Sequence, residues 1–118
     1  FAQSLSCPII LHICGRTVDR MQYIAETGMA AFHFDSKNTP AESMSIVEDR
    51  IALVGNINNP ETLFAREPQD VETEVFANLD AGVPLIGPEC AIPLQTSLEN
   101  LQAIPAAVKT WHAEHPNG

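Results

Sequence analysis

Pro8-Ile9-Ile10-Leu11-His12-Ile13-Cys14 is an apolar run closed by Gly15, and three runs of the same character follow it. They are Ala30-Ala31-Phe32-His33-Phe34-Asp35, Ile51-Ala52-Leu53-Val54-Gly55-Asn56-Ile57, and Val83-Pro84-Leu85-Ile86-Gly87, the last running into Pro88-Glu89-Cys90. The runs are apolar nearly throughout instead of alternating, which is the pattern of parallel strands covered on both faces. Pro84 falls at the start of its run, where a missing N–H is tolerated. Between the runs lies helix punctuation. Thr17 is placed to cap a helix with Val18, Met21, Ile24 and Ala25 on one face, stopped by Gly28. Thr39-Pro40-Ala41-Glu42 reads as a capping box with Pro at the first helical position, and Asn59-Pro60-Glu61 repeats the cap-then-Pro order. Pro68 opens a longer helix with Val71, Val75 and Leu79 inward and Gly82 at its end. Thr96 with Glu99 forms another capping box, ahead of Leu98, Leu101, Ile104 and Val108. Pro105 should kink that last helix or split it in two.

The order β-α-β-α-β-α-β-α with right-handed crossovers is an α/β layer structure. Cys14-Gly15-Arg16-Thr17 is not a Gly-rich phosphate loop, which argues against dinucleotide binding. Four βα units are half of an eight-stranded barrel, a fold of about 250 residues. A lone half would leave two apolar strand edges open. Residues 1–118 are therefore expected to form a single partial domain, the C-terminal half of a (β/α)8 TIM barrel, and the open edges favour self-association. The opening Phe1-Ala2-Gln3 lacks Met, consistent with a piece of a longer protein, and His115-Pro116-Asn117-Gly118 reads as a natural stop or a frayed tail.

The 118 residues hold 6 basic and 15 acidic side chains, a formal net charge of −9. That balance argues against nucleic-acid binding, which needs clustered Lys and Arg. A hydrophobic fraction of 45% supplies one core. No run approaches the ~20 apolar residues of a membrane span, and no signal peptide opens the chain. Three cysteines, an odd number, argue against a disulfide framework and for free or metal-bound thiols in the reducing cytoplasm.

Polar chemistry collects at the strand ends. Residues i and i+2 of a strand share a face, so His12 and Cys14 point the same way at the end of the first run. Cys90 lies just beyond the end of the fourth. In a barrel or an open parallel sheet the C-terminal strand ends share one rim, where active sites form. One His and two Cys on that rim match a catalytic zinc set with an open fourth position. Each alone reads better as a core or rim residue than as a ligand; together, the i,i+2 spacing, the shared rim and the absence of closer thiols favour metal.

Leu11-His12-Ile13-Cys14-Gly15, Gly55-Asn56-Ile57, Gly87-Pro88-Glu89-Cys90-Ala91-Ile92-Pro93 and Glu99-Asn100-Leu101 together resemble the uroporphyrinogen decarboxylase superfamily. Within it the chain is most similar to the methylcobamide:coenzyme M methyltransferases of methanogenic archaea, along essentially its whole length. The resemblance implies a (β/α)8 barrel that moves a methyl group from a methylated corrinoid protein to the thiol of coenzyme M. It also implies Zn²⁺ held by His12, Cys14 and Cys90, with the corrinoid supplied by a partner protein. The decarboxylases themselves need no metal and lack the His-x-Cys pair. The chemistry agrees: thiolate is the nucleophile, and coordination to zinc deprotonates a thiol.

Other candidates are weaker. Asp35 ends the second strand on the same rim and could contact a ligand His or the substrate, or be a solvated carboxylate. Asn56 and Asn58 close the third strand and could orient substrate, or serve turn geometry, with Asn59 as the cap. Arg16, the cation nearest the motif, could meet a sulfonate or form a structural ion pair. Glu89 could support the site, although a solvated loop residue is the plainer reading. Cys7 and the His112/His115 pair read as packing or surface residues. The alternatives to methyl transfer are a decarboxylase-like reaction resting on Asp35, or an inactive metal-binding fragment.

Overall fold

The computed structural model describes residues 2–116, so Phe1 of the opening and Asn117-Gly118 of the ending lie outside the described residues. Four strands form one parallel sheet in the order β1 (Ile10–Ile13), β2 (Ala31–Phe34), β3 (Ala52–Ile57), β4 (Leu85–Pro88). Between and after them run α1 (Met21–Ile24), α2 (Pro40–Val47), α3 (Pro68–Ala81) and α4 (Leu98–Glu114). Spatial order equals chain order, which is how a (β/α)8 barrel is wound and unlike a doubly wound sheet, whose order reverses at a switch point.

All the strand residues in the two core clusters lie on one face. Phe32, Phe34 and Leu53, with Leu11 and Ile13 beside them, pack on Met21, Ile24, Val47 and Val83. Ile57 packs on Leu63, Val71, Val75, Leu79, Ile104 and Trp111. Phe32 and Phe34 are fully buried, each contributing about 1.5–3 kcal/mol relative to exposure. The opposite face, with Ile10 57% and Leu85 50% exposed, carries no helix. The expectation of strands covered on both faces is thus corrected: crossovers of one hand put every helix on one side, leaving the other face open. Gly55, with φ +139°, allows the backbones of β2 and β3 to meet closely; a Cβ there would sit 2.8 Å from the Phe34 carbonyl oxygen.

Several helix starts shift by a residue or more. Thr17 caps nothing: it is fully buried, its N–H donating to Asn38 Oδ1 at 2.7 Å, and α1 is a single turn flanked by Arg20. Thr39 caps α2 as expected, accepting from the Glu42 N–H. Asn58, not Asn59, caps the next turn by accepting from the Glu61 N–H at 2.7 Å. That turn, Asn59–Leu63, closes with i→i+5 bonds such as Leu63 N–H to the Asn58 carbonyl, and Asn59 is buried, donating to the Ala91 carbonyl at 2.8 Å. Ser97, not Thr96, caps α4. Pro105 does not split α4, which runs unbroken for 17 residues. Ile104, Ala107 and Trp111, buried against α3 on both sides of the proline, offset the one hydrogen bond it removes. Among the described residues no helix is long and apolar enough to cross a membrane.

Candidate metal centre

β1 and β4 are the outer strands of the sheet. In a flat sheet they would lie about 14 Å apart, three strand spacings. Instead Cys14 Sγ and Cys90 Sγ are 3.4 Å apart. The sheet therefore curls with its bare face concave, and its two edges approach at the C-terminal rim. His12 on β1, Cys14 one residue past it and Cys90 two residues past β4 meet there, their donor atoms all within 4.8 Å of one another.

The orientation of the donors is set by their neighbours. His12 Nδ1 lies 2.9 Å from the His33 carbonyl oxygen. A carbonyl only accepts, so Nδ1 carries the proton and Nε2 turns its lone pair to the thiols, 3.2 Å from Cys14 Sγ. Tetrahedral zinc with S and N ligands spaces its donors about 3.5–3.8 Å apart; the His12–Cys14 and Cys14–Cys90 separations of 3.2 and 3.4 Å are slightly tighter, and all three donors lie within 4.8 Å of one another. The S,S,N donor set suits zinc, and among the described residues it is the one such group of His, Cys and acidic side chains.

The protons in the cluster are unequally held. The hydrogen bond to Cys90 comes first in pushing the Cys14 thiol up, followed by burial and by the charges of Cys90, Asp35 and Glu89. The Ala91 backbone hydrogen bond and those from His12 and Cys14 pull the Cys90 thiol down against burial. Burial lowers the His12 imidazole, yet the Cys90 hydrogen bond, the His33 carbonyl and nearby negative charge outweigh it, for a net rise. Cys90 thus ionises before Cys14. Since thiolate is the reactive form, iodoacetamide is expected to modify Cys90 ahead of Cys14 in metal-free protein. The preference should be largest at pH values between the two titrations and fade above both; peptide mapping at several pH values reads it, and modification of Cys14 first would contradict the assignment.

The remaining candidates are held by a polar network behind the cluster. Asp35, 8% exposed, accepts the Gly15 N–H on Oδ2 and the Lys37 N–H on Oδ1, both at 2.9 Å. Asn56 is buried and spends its amide N–H groups on the carbonyls of Asp35 and Asn38. Arg16 is exposed beside the motif, with no ion-pair partner among the described residues. Glu89 is not a solvated loop residue: it is 7% exposed and accepts the Ser36 N–H at 2.9 Å, while Asn58 reaches the Ser36 hydroxyl. Cys7 is exposed, and His112 and His115 pack on Trp111. Sequence reasoning missed Asn38, which is fully buried and donates to the carbonyls of Gly15 and Asp35. The Asx-like run Asp35-Ser36-Lys37-Asn38 was the one available signal for it.

The chain is similar in sequence and fold to known methyltransferases. The chain is 32% identical over 114 residues to the methylcobamide:CoM methyltransferase MtaA of Methanosarcina barkeri, covering 96% of this chain and 34% of that protein. It is 28% identical over 109 residues to a methylated-thiol–coenzyme M methyltransferase of Methanosarcina mazei, covering 92% of this chain and 29% of that one. A solved methyltransferase structure from Methanosarcina mazei superposes with a TM-score of 0.90 at 28% identity, over 94% of this chain and 33% of that one. The chain therefore spans about a third of the length of the relatives it matches, and its four βα units are part of a TIM-barrel fold. The profile of the uroporphyrinogen decarboxylase (URO-D) family matches residues 2–111, nearly the whole chain, and the chain belongs to that family.

Proposed function

We propose that residues 1–118 are a single partial domain, the C-terminal half of a (β/α)8 barrel, carrying the metal site of a zinc-dependent methyltransferase. The observation that carries this reading is the convergence of His12, Cys14 and Cys90 within 4.8 Å on the C-terminal rim. In this reading the methyl donor is a methylated corrinoid protein, the acceptor is the thiol of coenzyme M, and the setting is the cytoplasm. Relatives named for methylcobamide and coenzyme M support those two substrates. Zn²⁺ bound by this S,S,N set would lower the pKa of a thiol entering the open position.

The chain's own residues prepare that chemistry. The His33 carbonyl keeps His12 Nδ1 protonated and Nε2 free, and Asp35 and Asn38 clamp Gly15, next to Cys14. Asn56 holds the Asp35–Asn38 turn. Arg16, exposed and two residues from Cys14, is the cation assigned in this reading to the sulfonate of coenzyme M. The acceptor thiol gives its proton to solvent, its sulfur pair forms the C–S bond, and the Co–C pair leaves on cobalt, taking Co(III) to Co(I). The bare concave face and the open edges of β1 and β4 are surfaces for the rest of a barrel or for self-association.

A chimera tests the reaction. This chain replaces the matching third of the Methanosarcina barkeri relative, and methylation of coenzyme M by methylcob(III)alamin is followed. The expected result is methyl transfer that disappears with Cys14→Ser. A chimera that binds zinc and releases no methylated thiol overturns the reading, and decarboxylation of a tetrapyrrole by it would put the decarboxylase-like reading in its place.

A further inference from the structure

His33 sits on the concave face of β2, directly opposite His12 in the β1–β2 register. Its Nε2 lies 2.6 Å from the carbonyl oxygen of Pro88, the last residue of β4. β2 and β4 are not neighbours; β3 lies between them. In a flat sheet they would be roughly 10 Å apart, so this bond spans the curl. Pro88 is two residues from Cys90, and the His33 ring also lies against the His12 ring, centroids 4.5 Å apart. The backbone carbonyl of the same residue accepts from His12 Nδ1. One residue thus touches both arms of the cluster. The Cys90 arm has further ties, the Ser36 N–H to the Glu89 carboxylate, the Glu89 N–H to the Ile57 carbonyl and the Asn59 amide to the Ala91 carbonyl, but none of these bonds involves His12.

We propose that His33 is a positioning residue for the metal centre, its Nε2–H bond to Pro88 fixing the Cys90 arm at ligating distance from His12 and Cys14. The proposal rests on the reading of those three residues as the zinc site. A proline carbonyl offers only an acceptor, so Nε2 of His33 carries the proton of this bond. The bond is directional, and its loss would let the β4 end relax outward while leaving the helix-covered core on the other face intact.

The test compares wild type, His33→Phe and His33→Gln in the whole chain, reading zinc affinity by chelator competition and the visible spectrum of the Co²⁺-substituted site. Phe keeps a ring against His12 and deletes the donor; Gln restores a donor of similar reach. We expect His33→Phe to weaken zinc by about 10–100-fold, the range for lost outer-shell partners, and to move the Co²⁺ bands, while Gln recovers most of both. If His33→Phe fails to fold, the Gln variant decides: zinc affinity within a few-fold of wild type supports the role. Wild-type affinity and spectrum in His33→Phe would overturn it, as would a Gln variant as weak as Phe. Wild-type chain that binds no zinc would overturn the metal reading itself, and this inference with it.

Discussion

Purified wild-type chain is expected to carry about one zinc ion, and His12→Ala, Cys14→Ser and Cys90→Ser are each expected to lose it. The three donors lie within 4.8 Å of one another, so removing any one leaves two ligands on a rim open to solvent. The loss should exceed the roughly 10–100-fold that a missing outer-shell partner costs. Cys7→Ser is the control, because Cys7 is exposed and outside the cluster. Metal analysis with chelator competition reads all five proteins. Uptake should also fall with acidity, since His12 must be neutral and both thiols deprotonated to ligate. His12 and Cys14 are both held above their ordinary values, so protons compete with metal at these two positions further up the pH scale than at free side chains. Full zinc occupancy in Cys90→Ser would sink the assignment.

The second large effect is expected at Asn38, on stability and metal together. Its side chain is fully buried; Oδ1 accepts the Thr17 N–H, and Nδ2 donates to the carbonyls of Gly15 and Asp35. Asn38→Ala strands the Thr17 N–H and the Gly15 carbonyl. At about 1–3 kcal/mol per buried unsatisfied group, the variant should lose about 3 kcal/mol, or roughly 10–20 °C in Tm. Zinc should weaken as well, because the freed segment is the one that follows Cys14. Asn38→Asp is the sharper comparison. It keeps an acceptor for Thr17, cannot donate to either carbonyl, and adds charge beside the buried Asp35, so it should be at least as damaging as Ala. Thermal melts of metal-free protein separate the stability effect from the metal effect; an unchanged Tm in Asn38→Ala would show that the network carries no weight.

The burial of Asn38 and Glu89 was not legible in the sequence, and the reason is the same for both. A polar residue in a loop is solvated unless a distant segment covers it, and the coverage of Glu89 comes from Ser36, 53 residues away. Capping residues erred by one position for a more local reason. Asn58 and Asn59, like Thr96 and Ser97, are adjacent residues both able to cap. Only the backbone that follows decides which side chain reaches the open N–H groups: Asn58 and Ser97 do, and Asn59 turns instead to the Ala91 carbonyl.

The sequence by itself determined the order of strands and helices, the α/β class, and the shared face of His12 and Cys14. These are consequences of short-range periods: two residues per repeat in a strand, three to four in a helix, and the turn chemistry between them. The shared rim of Cys90 with His12 and Cys14 was an expectation from strand order and half-barrel topology; only the tertiary structure brought the two thiols to 3.4 Å across 76 residues and left the face opposite the helices open. Curvature is a property of the assembled sheet. It follows from the twist of paired strands and is spanned by contacts between non-neighbouring strands, such as His33 to Pro88, and no local spacing encodes it.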